Sequence, residues 1–318
     1  MTAGTAPAPT AAPVRRGPAG RPNARLRSER RFGYVLVAPL LALLLLVTAY
    51  PLVYNLWNSF HKVNLSIAGQ GRPWVGVHNY SQMFGSTDWV RALERTAAFT
   101  GVSVFLETIA ALALALMLHR RFPGRGVLRA AVLIPWAVPT VVSAMLWKTM
   151  FDPRSGFVDY ILGQLGLPGA HTTWLAGTWT SWATILVADA WKNVPFMAII
   201  LLAGLQVIPA EVYDAARMDG ASWLQTFRRI TLPLLKPALG VALIFRTLQA
   251  FLVFDVIYIM TGGGPGVSTE TLSFVNWQAF LVSTDFGYGG AISVMLVIIA
   301  LAIAFVYVRV MRLGQQTA

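Results

Sequence analysis

Three ionisable residues interrupt long apolar runs of this sequence, Asp189 and Lys192 in one run and Arg246 in the next. A charge at mid-bilayer costs about 2.5–3.5 kcal/mol even on insertion scales, so each such residue needs a partner or water. Polar neighbours extend both positions at helical spacing. One helix face would carry Asp189, Lys192, Asn193 and Phe196, and another would carry Arg246 and Gln249. The polar side chains of this set suit hydrogen bonding to a hydroxyl-rich solute, and the set as a whole predicts a substrate path through a membrane.

The same residues also fit a structural cluster of ion pairs and hydrogen bonds that holds a helix bundle together. Asp189 and Arg246 each lie about 10 Å in from an end of their runs, at depths that allow contact across a bundle. We favour the substrate path for the set as a whole. Glu107 and Asp255 are weaker candidates, and we assign Asp255 a structural or rim role.

The composition excludes most alternatives to a membrane protein. The chain has 318 residues, of which 56% are hydrophobic and 12% are charged, and its net charge is +12. Soluble domains carry about 25% charged residues, and one core could not bury this much apolar surface. The hydrophobicity argues against a nucleic-acid partner. The sequence has no Cys, four scattered His, no G-x-x-x-x-G-K-[ST] motif and no catalytic set, so we expect no metal, nucleotide, other cofactor or enzyme activity in this chain.

Six apolar segments are long enough to cross a hydrocarbon core of about 30 Å as helices. The predicted spans are at about 34–60, 96–118, 130–150, 182–207, 237–260 and 287–309. Residues 1–31 are rich in Ala, Pro and Arg and predict a disordered tail, 32–312 a transmembrane domain, and 313–318 a second tail. The predicted fold class is therefore an all-α integral membrane protein with six spans, because a lone helix satisfies its own backbone in lipid.

The distribution of positive charge orients these spans. The N-terminal tail, the loops at 119–129 and 206–236, and the C-terminal residues from Arg309 onwards hold 17 Lys and Arg, whereas the three opposite loops hold 6. Loops rich in Lys and Arg stay in the cytoplasm, so both termini are predicted to be cytoplasmic.

The polar loop at 208–233 predicts two short helices joined by a turn. Gly220 would break the first helix, and Ser222 with Gln225 three residues later would form a capping box for the second. We expect Pro233 to end that second helix. An amphipathic connector on the membrane surface would also fit this composition. A connector alone would not require the turn, so we favour a docking element for a soluble partner.

The loop resembles the signature of binding-protein-dependent ABC importer permeases: Glu-Ala-Ala, three residues, Gly, nine residues, Ile, one residue, Leu-Pro. The corresponding residues here are Asp214, Ala215, Ala216, Gly220, Ile230, Leu232 and Pro233. The spacing matches throughout, and the one departure is Asp214 in place of Glu. The stretches AGLQVIP at 203–209 and TGGGP at 261–265 are similar to those of the sugar-importer branch. The resemblance covers roughly residues 32–312.

The resemblance implies a type I ABC importer permease in a bacterial inner membrane. Its partners would be membrane lipid, a second homologous permease, two cytoplasmic ATPase subunits that bind ATP and Mg, and an extracytoplasmic sugar-binding protein. The loop would contact the ATPase through Asp214, Ala215, Ala216, Asp219 and Gly220. The expected cargo is a disaccharide or oligosaccharide, with trehalose and maltose as candidates.

Rival functions of three classes stay open on the sequence alone: another importer of the same family, a secondary transporter and an enzyme. Arg246 and Lys192 would suit the phosphate of a glycerol-phosphate importer in the same family, whereas a polyamine importer is poorly served by a lone Asp189. An ion-coupled secondary transporter would use the three charges as a proton relay, but no internal repeat supports it. A membrane-embedded enzyme lacks a catalytic set.

Overall fold

The structure is a computed structural model that describes residues 24–67, 69, 71–167 and 172–316, without the side chains of 24–31, 33 and 312–316. Helices account for nearly all of its regular elements, which confirms the predicted all-α class. The described strand pairing consists of two isolated bridges, His61 with Trp74 and Asn64 with Asp285. The chain divides into two compact units, residues 1–54 and 55–318.

Fourteen α-helices lie in the described residues, two of which continue directly into a short π-helical segment. They are α1 (Ala24–Ser59), α2 (His78–Gly85), α3 (Thr87–His119), α4 (Arg125–Val132), α5 (Ile134–Ala137), α6 (Thr140–Met150), α7 (Phe157–Gln164), α8 (Thr178–Val207), α9 (Ala210–Met218), α10 (Trp223–Thr226), α11 (Leu232–Phe251), α12 (Asp255–Met260), α13 (Leu272–Trp277) and α14 (Phe286–Gln316). The π-helical segments are Phe227–Thr231 and Gln278–Val282.

The first unit contains most of α1. This helix begins at Ala24, eight residues before the predicted boundary at Phe32, so the prediction of a disordered tail is wrong for 24–31. Residues 24–31 are mostly Ala, Arg, Leu and Glu, which favour helix, and the apolar helix that follows supplies the nucleus from which this segment extends. Residues 1–23 of the predicted tail lie outside the described residues. At the other end of the chain, α14 runs through 313–316 of the predicted second tail, and 317–318 lie outside.

Five described helices are long and apolar enough to cross a membrane, and a bent pair makes six. The bent pair is the third predicted span, 130–150. Here α4 and α5 meet α6 at 91°, and the chain leaves the helical conformation at Val138 and Pro139. Pro139 accounts for the break, because it lacks a backbone N–H and keeps the preceding Val138 out of the helical conformation. Pro135 lies in the first turn of α5, where a missing N–H is tolerated.

The fifth predicted span, 237–260, differs at both ends from the helix in the structure. The continuous helical segment runs from Trp223 to Phe251, and the separate helix α12 begins at Asp255. Pro233 does not end the helix as expected. It lies in the first turn of α11, where a missing N–H is tolerated, directly after the π-helical segment Phe227–Thr231. The second half of the docking loop, from Trp223, and the fifth span as far as Phe251 are therefore one helical rod.

The core of the second unit forms where α3, α8 and α11 pack together. Its buried side chains include Ala111 and Ala115 of α3, Ala198 and Leu201 of α8, and Leu235 of α11. Small residues let these helices approach closely, as in other membrane bundles. A Cβ atom at Gly204 of α8 would lie 2.9 Å from Leu235 Cδ1, so this contact requires glycine. The close packing fixes the rotation of each helix and thereby the direction of its polar side chains.

Candidate functional site

A buried triad of charged side chains joins the three packed helices. Arg246 of α11 forms ion pairs with Glu107 of α3 and Asp189 of α8. The Arg246 Nε and Nη2 atoms donate to the two oxygens of Glu107, the Nη2–Oε1 distance being 2.9 Å, and Nη2 also donates to Asp189 Oδ2. The side chains are 2%, 1% and 10% exposed for Arg246, Glu107 and Asp189. One guanidinium therefore serves two carboxylates away from water.

The sequence of α3 explains why the three helices come close enough for the triad to form. The buried face of α3 carries Thr96, Ser103, Glu107, Ala111 and Ala115, mostly small side chains at helical spacing. These let α8 and α11 come close enough for Arg246 to meet Glu107 and Asp189. An isolated charge at this depth would be costly, and a planar guanidinium with several donors offsets that cost for both acids.

Asn193, one turn further along α8, binds the Asp189 member of the triad. Its Nδ2 atom donates to the Asp189 carboxylate oxygen Oδ1 at 2.8 Å and to the Asp189 backbone oxygen at 2.9 Å. The carboxylate thus keeps one oxygen on Asn193 and the other on Arg246. Asp189 is held in one orientation on both sides.

Lys192 binds a different part of the molecule. Its ammonium group donates to the backbone oxygens of Trp136, at 3.2 Å, and Val138, where α5 ends and the chain bends towards α6. These carbonyl groups lie at the helix break, where the backbone does not continue its i→i−4 bonds. Phe196, one turn on from Lys192, stacks on Trp136 with ring centroids 5.1 Å apart and planes 10° apart. We call Lys192, Phe196 and Trp136 the break clamp.

The structure divides the predicted polar face of α8 into two sets. Asp189 belongs to the triad and Asn193 is bonded to it, whereas Lys192 and Phe196 belong to the break clamp. The predicted contact between Asp189 and Arg246 is present, but the hydrogen bonds of Lys192 go to Trp136 and Val138 and not to either of them. Gln249, one turn after Arg246, is exposed on the surface of the chain. The cargo role of these residues stays a prediction.

Glu107 is the site residue that the sequence analysis undervalued. It is the one acid in an otherwise uncharged span, a pattern that by itself demands a buried cation. A count of the charges inside the spans could have identified Glu107. Arg246 has several hydrogen-bond donors and Asp189 binds only one of its nitrogens, so a second acid can share the same cation.

The predicted capping signals of the 208–233 loop are confirmed. Gly220 has φ +71°, and the backbone N–H groups of Gly220 and Ala221 donate to the oxygens of Arg217 and Ala216, which closes the end of α9. Ser222 Oγ accepts from the Gln225 backbone at 3.4 Å, and Gln225 Oε1 accepts from the Ser222 backbone at 2.8 Å. The loop is thus two capped helices joined by a turn, which we call the elbow and define as α9, the Gly220 turn and α10.

The elbow presents most of its signature residues outwards. The Asp214 side chain is 67% exposed and pairs with Arg217 at 3.2 Å along the helix. Ala215, Asp219 and Gly220 are exposed as well, whereas Ala216 is 5% exposed and packs inwards. An exposed face on a capped turn is suited to contact another protein. Among the residues the structure describes, no cluster of three or more His, Cys, Asp or Glu could hold a metal ion.

Comparison with known proteins shows relatives over nearly the whole chain. A trehalose/maltose transport system permease protein of Thermococcus litoralis is 43% identical over 89% of this chain and 95% of its own length. A trehalose transport system permease protein of Mycobacterium tuberculosis is 38% identical over 89% of each chain. A sulfoquinovosyl glycerol transport system permease protein of Agrobacterium fabrum is 36% identical over 89% of this chain and 91% of its own.

A solved structure shares the fold, and a family model matches the sequence. The structure is of a bacterial ABC transporter involved in the import of the acidic polysaccharide alginate, with TM-score 0.77 and 24% identity over 91% of this chain and 98% of the other. A second structure of the alginate transporter, in complex with an alginate pentasaccharide-bound periplasmic protein, has TM-score 0.76 and 22% identity over 90% and 96%. The family model covers residues 107–316. This chain belongs to the family of inner membrane components of binding-protein-dependent transport systems.

Proposed function

We propose that this chain is the membrane-spanning permease subunit of an ATP-driven importer whose cargo is a disaccharide or oligosaccharide. The observation that carries the proposal is the 43% identity, over 89% of the chain, to a permease named for trehalose and maltose. A second relative named for trehalose, at 38% identity over the same share, supports the same class of cargo.

The proposed partners are a second permease, two cytoplasmic ATPase subunits that bind ATP and Mg, and an extracytoplasmic binding protein. The alginate transporter solved with a periplasmic protein supports the last of these. Both termini are proposed to be cytoplasmic, because 17 Lys and Arg lie in the N-terminal tail, the two loops on that side and the C-terminal residues from Arg309 onwards, against 6 in the opposite loops. The elbow then lies on the side of the ATPase.

We further propose that the elbow transmits ATPase movements to the transmembrane helices. Asp214, Ala215, Asp219 and Gly220 would contact the ATPase, while Ala216 would support that face from inside. The elbow continues through Phe227–Thr231 into α11, the helix that holds Arg246. A displacement of the elbow would therefore be carried along one helical segment to the triad.

The cargo path is proposed to use the same two helices. Gln249 is the exposed polar side chain of the predicted set, and Lys192, Asn193 and Phe196 are half-buried. Asp189 and Arg246 are too deeply buried to contact the cargo directly. They would act by holding these four side chains in position. The charges of the triad are paired with one another and are not available to a charged cargo. This arrangement suits a hydroxyl-rich cargo that forms hydrogen bonds with neutral groups.

Uptake by cells that lack and then regain this chain tests the proposed function. Radiolabelled trehalose, maltose and sulfoquinovosyl glycerol would be compared in a deletion strain, in the complemented strain and after ATP depletion or proton uncoupling. We expect loss of trehalose or maltose uptake in the deletion strain and sensitivity to ATP depletion. Uptake that follows the proton gradient, with ATP held constant, would refute the importer mechanism.

A cross-linking experiment tests the elbow contact. The chain has no Cys, so one introduced at exposed Ala215 has no native background. The matched control is a Cys at Thr149, which is also exposed. Thr149 lies in the last turn of α6, at the end that is predicted to face the extracytoplasmic side. We expect Ala215→Cys to capture an ATPase subunit and Thr149→Cys to give none. Capture from Thr149→Cys alone would reverse the proposed orientation.

A further inference from the structure

Four arginines lie together where α3 ends and α4 begins. Arg120 and Arg121 follow directly after α3, Arg125 is the first residue of α4, and Arg129 lies one turn further. Arg129 Nη2 donates to the Leu118 backbone oxygen at 2.9 Å and so holds α4 against the end of α3. This contact keeps all four side chains at one end of the bundle.

The local charge of this segment is not balanced. The sequence has no Asp or Glu between Glu107 and Asp152. Arg120, Arg121 and Arg125 are exposed, and no hydrogen bond or ion pair joins their side chains to any part of the chain that the structure describes. Three guanidinium groups are therefore available to an anion from outside the chain.

The surroundings place these arginines at the edge of an apolar surface. The apolar run of α3 ends at Leu118, two residues before Arg120, and α4 resumes it at Val127, two residues after Arg125. Leu128 packs against the core, whereas Val127 is 77% exposed and Ile134 is 62% exposed. An acidic soluble protein would leave those exposed apolar side chains uncovered, but a lipid offers an anionic headgroup and acyl chains together.

We propose that Arg120, Arg121 and Arg125 form a binding surface for anionic phospholipid headgroups. Guanidinium groups bind phosphate oxygens through paired hydrogen bonds, and each basic residue near a membrane surface favours anionic lipid by a factor of about five. Val127 and Ile134 contact the acyl chains of the same lipid. The surface needs no cargo and does not depend on which sugar is transported.

Fluorescence quenching by brominated lipid tests this surface. The full chain, purified with its associated subunits and carrying Val127→Cys labelled with a fluorophore, would be reconstituted in nanodiscs. Brominated phosphatidylglycerol would be compared with brominated phosphatidylcholine at equal mole fraction. We expect at least about fivefold stronger quenching by phosphatidylglycerol, reduced at high salt because exposed charges are screened. Equal quenching by both lipids would overturn the proposal.

Matched variants locate the effect. Replacing Arg120, Arg121 and Arg125 together by Gln should abolish the preference for phosphatidylglycerol. The control replaces three exposed cations of the opposite loops, Lys62, Arg91 and Arg154, by Gln and should leave the preference intact. A preference that survives the first variant would overturn the proposal. So would a label that neither lipid quenches in the complex but both quench in the isolated chain, because a protein subunit would then cover the surface.

Discussion

Two neighbouring positions on α8 meet opposite surroundings in this fold. Asp189 faces α3 and α11, two continuous helices, and is paired with the side chains of Arg246 and Asn193. Lys192, three residues on, faces the break between α5 and α6 and is paired with two backbone carbonyls. The triad is nearly closed to solvent, whereas in the break clamp Lys192 and Phe196 are half-buried and Trp136 is exposed.

The difference follows from what each neighbouring helix offers. A continuous helix uses its own carbonyls, so a charge that faces it must find a charged or polar side chain. A helix interrupted by proline has spare carbonyls, which an ammonium group can satisfy inside a membrane. The protein therefore satisfies charges inside the membrane in two ways. Lys192 binds the carbonyls of a broken helix, and the members of the triad bind one another.

The largest effect is expected from Arg246→Met, which leaves Glu107 and Asp189 as buried carboxylates without a cation. The free energy of unfolding should fall by about 3–5 kcal/mol, the usual result of breaking a buried ion pair on one side. Reversible unfolding of the purified chain in mixed detergent measures it. Arg309→Met, which removes an exposed cation from α14, is the control and should change stability by less than about 0.5 kcal/mol. Similar losses for both variants would mean that the triad stabilises nothing.

Within the triad, Glu107→Gln is expected to cost more than Asp189→Asn. Glu107 accepts two hydrogen bonds from Arg246, and Asp189 accepts one. One cation and one acid remain in balance after either substitution, so the difference comes from the charge-assisted bonds that are lost, which should cost about 1.5–3 kcal/mol at Glu107 and about 1 kcal/mol at Asp189. The same unfolding measurement compares them. A greater loss for Asp189→Asn would show that Asp189 is the main partner of Arg246.

Lys192→Met is expected to loosen the break while the triad stays intact. The carbonyls of Trp136 and Val138 lose their donor, which should cost about 1–3 kcal/mol of stability. Hydrogen exchange should accelerate in the first turn of α6, residues 140–143, and not in α3. Arg246→Met should give the reverse pattern. If both variants accelerate the same amides, the triad and the break clamp are not independent.

Local signals in the sequence predicted local structure well. Gly220, Ser222 and Gln225 act within one turn of the chain, so their roles in the elbow could be predicted without knowledge of the packing. Hydrophobic runs likewise located the spanning helices. The continuity of the rod past Pro233 was missed, because proline ends a helix in its interior but is tolerated in a first turn, and the π-helical segment that precedes it left no recognised signal.

The partners inside the bundle were predictable only in part. Similar depth predicted that Asp189 could meet Arg246, since depth follows from residue count along a helix. The direction in which each side chain points depends on helix rotation, which is set by small residues such as Ala111 and Gly204 at the contacts. The carbonyl partners of Lys192 carry no side-chain signal at all. Sequence patterns could therefore name the charged residues but could not assign each one to its partner.

The smallest effect is expected from Phe196→Leu, and its coupling to Lys192 is more informative than its size. Loss of the stacking on Trp136 should cost about 0.5–1.5 kcal/mol of stability. Because Phe196 and Lys192 both hold the segment that contains Trp136, their effects should not add. In a double-mutant cycle, Phe196→Leu with Lys192→Met should show a coupling energy above about 0.5 kcal/mol, whereas Phe196→Leu with Glu107→Gln should be additive within that value. Coupling in the second cycle and none in the first would mean that Phe196 acts with the triad. The break clamp would then consist of Lys192 alone.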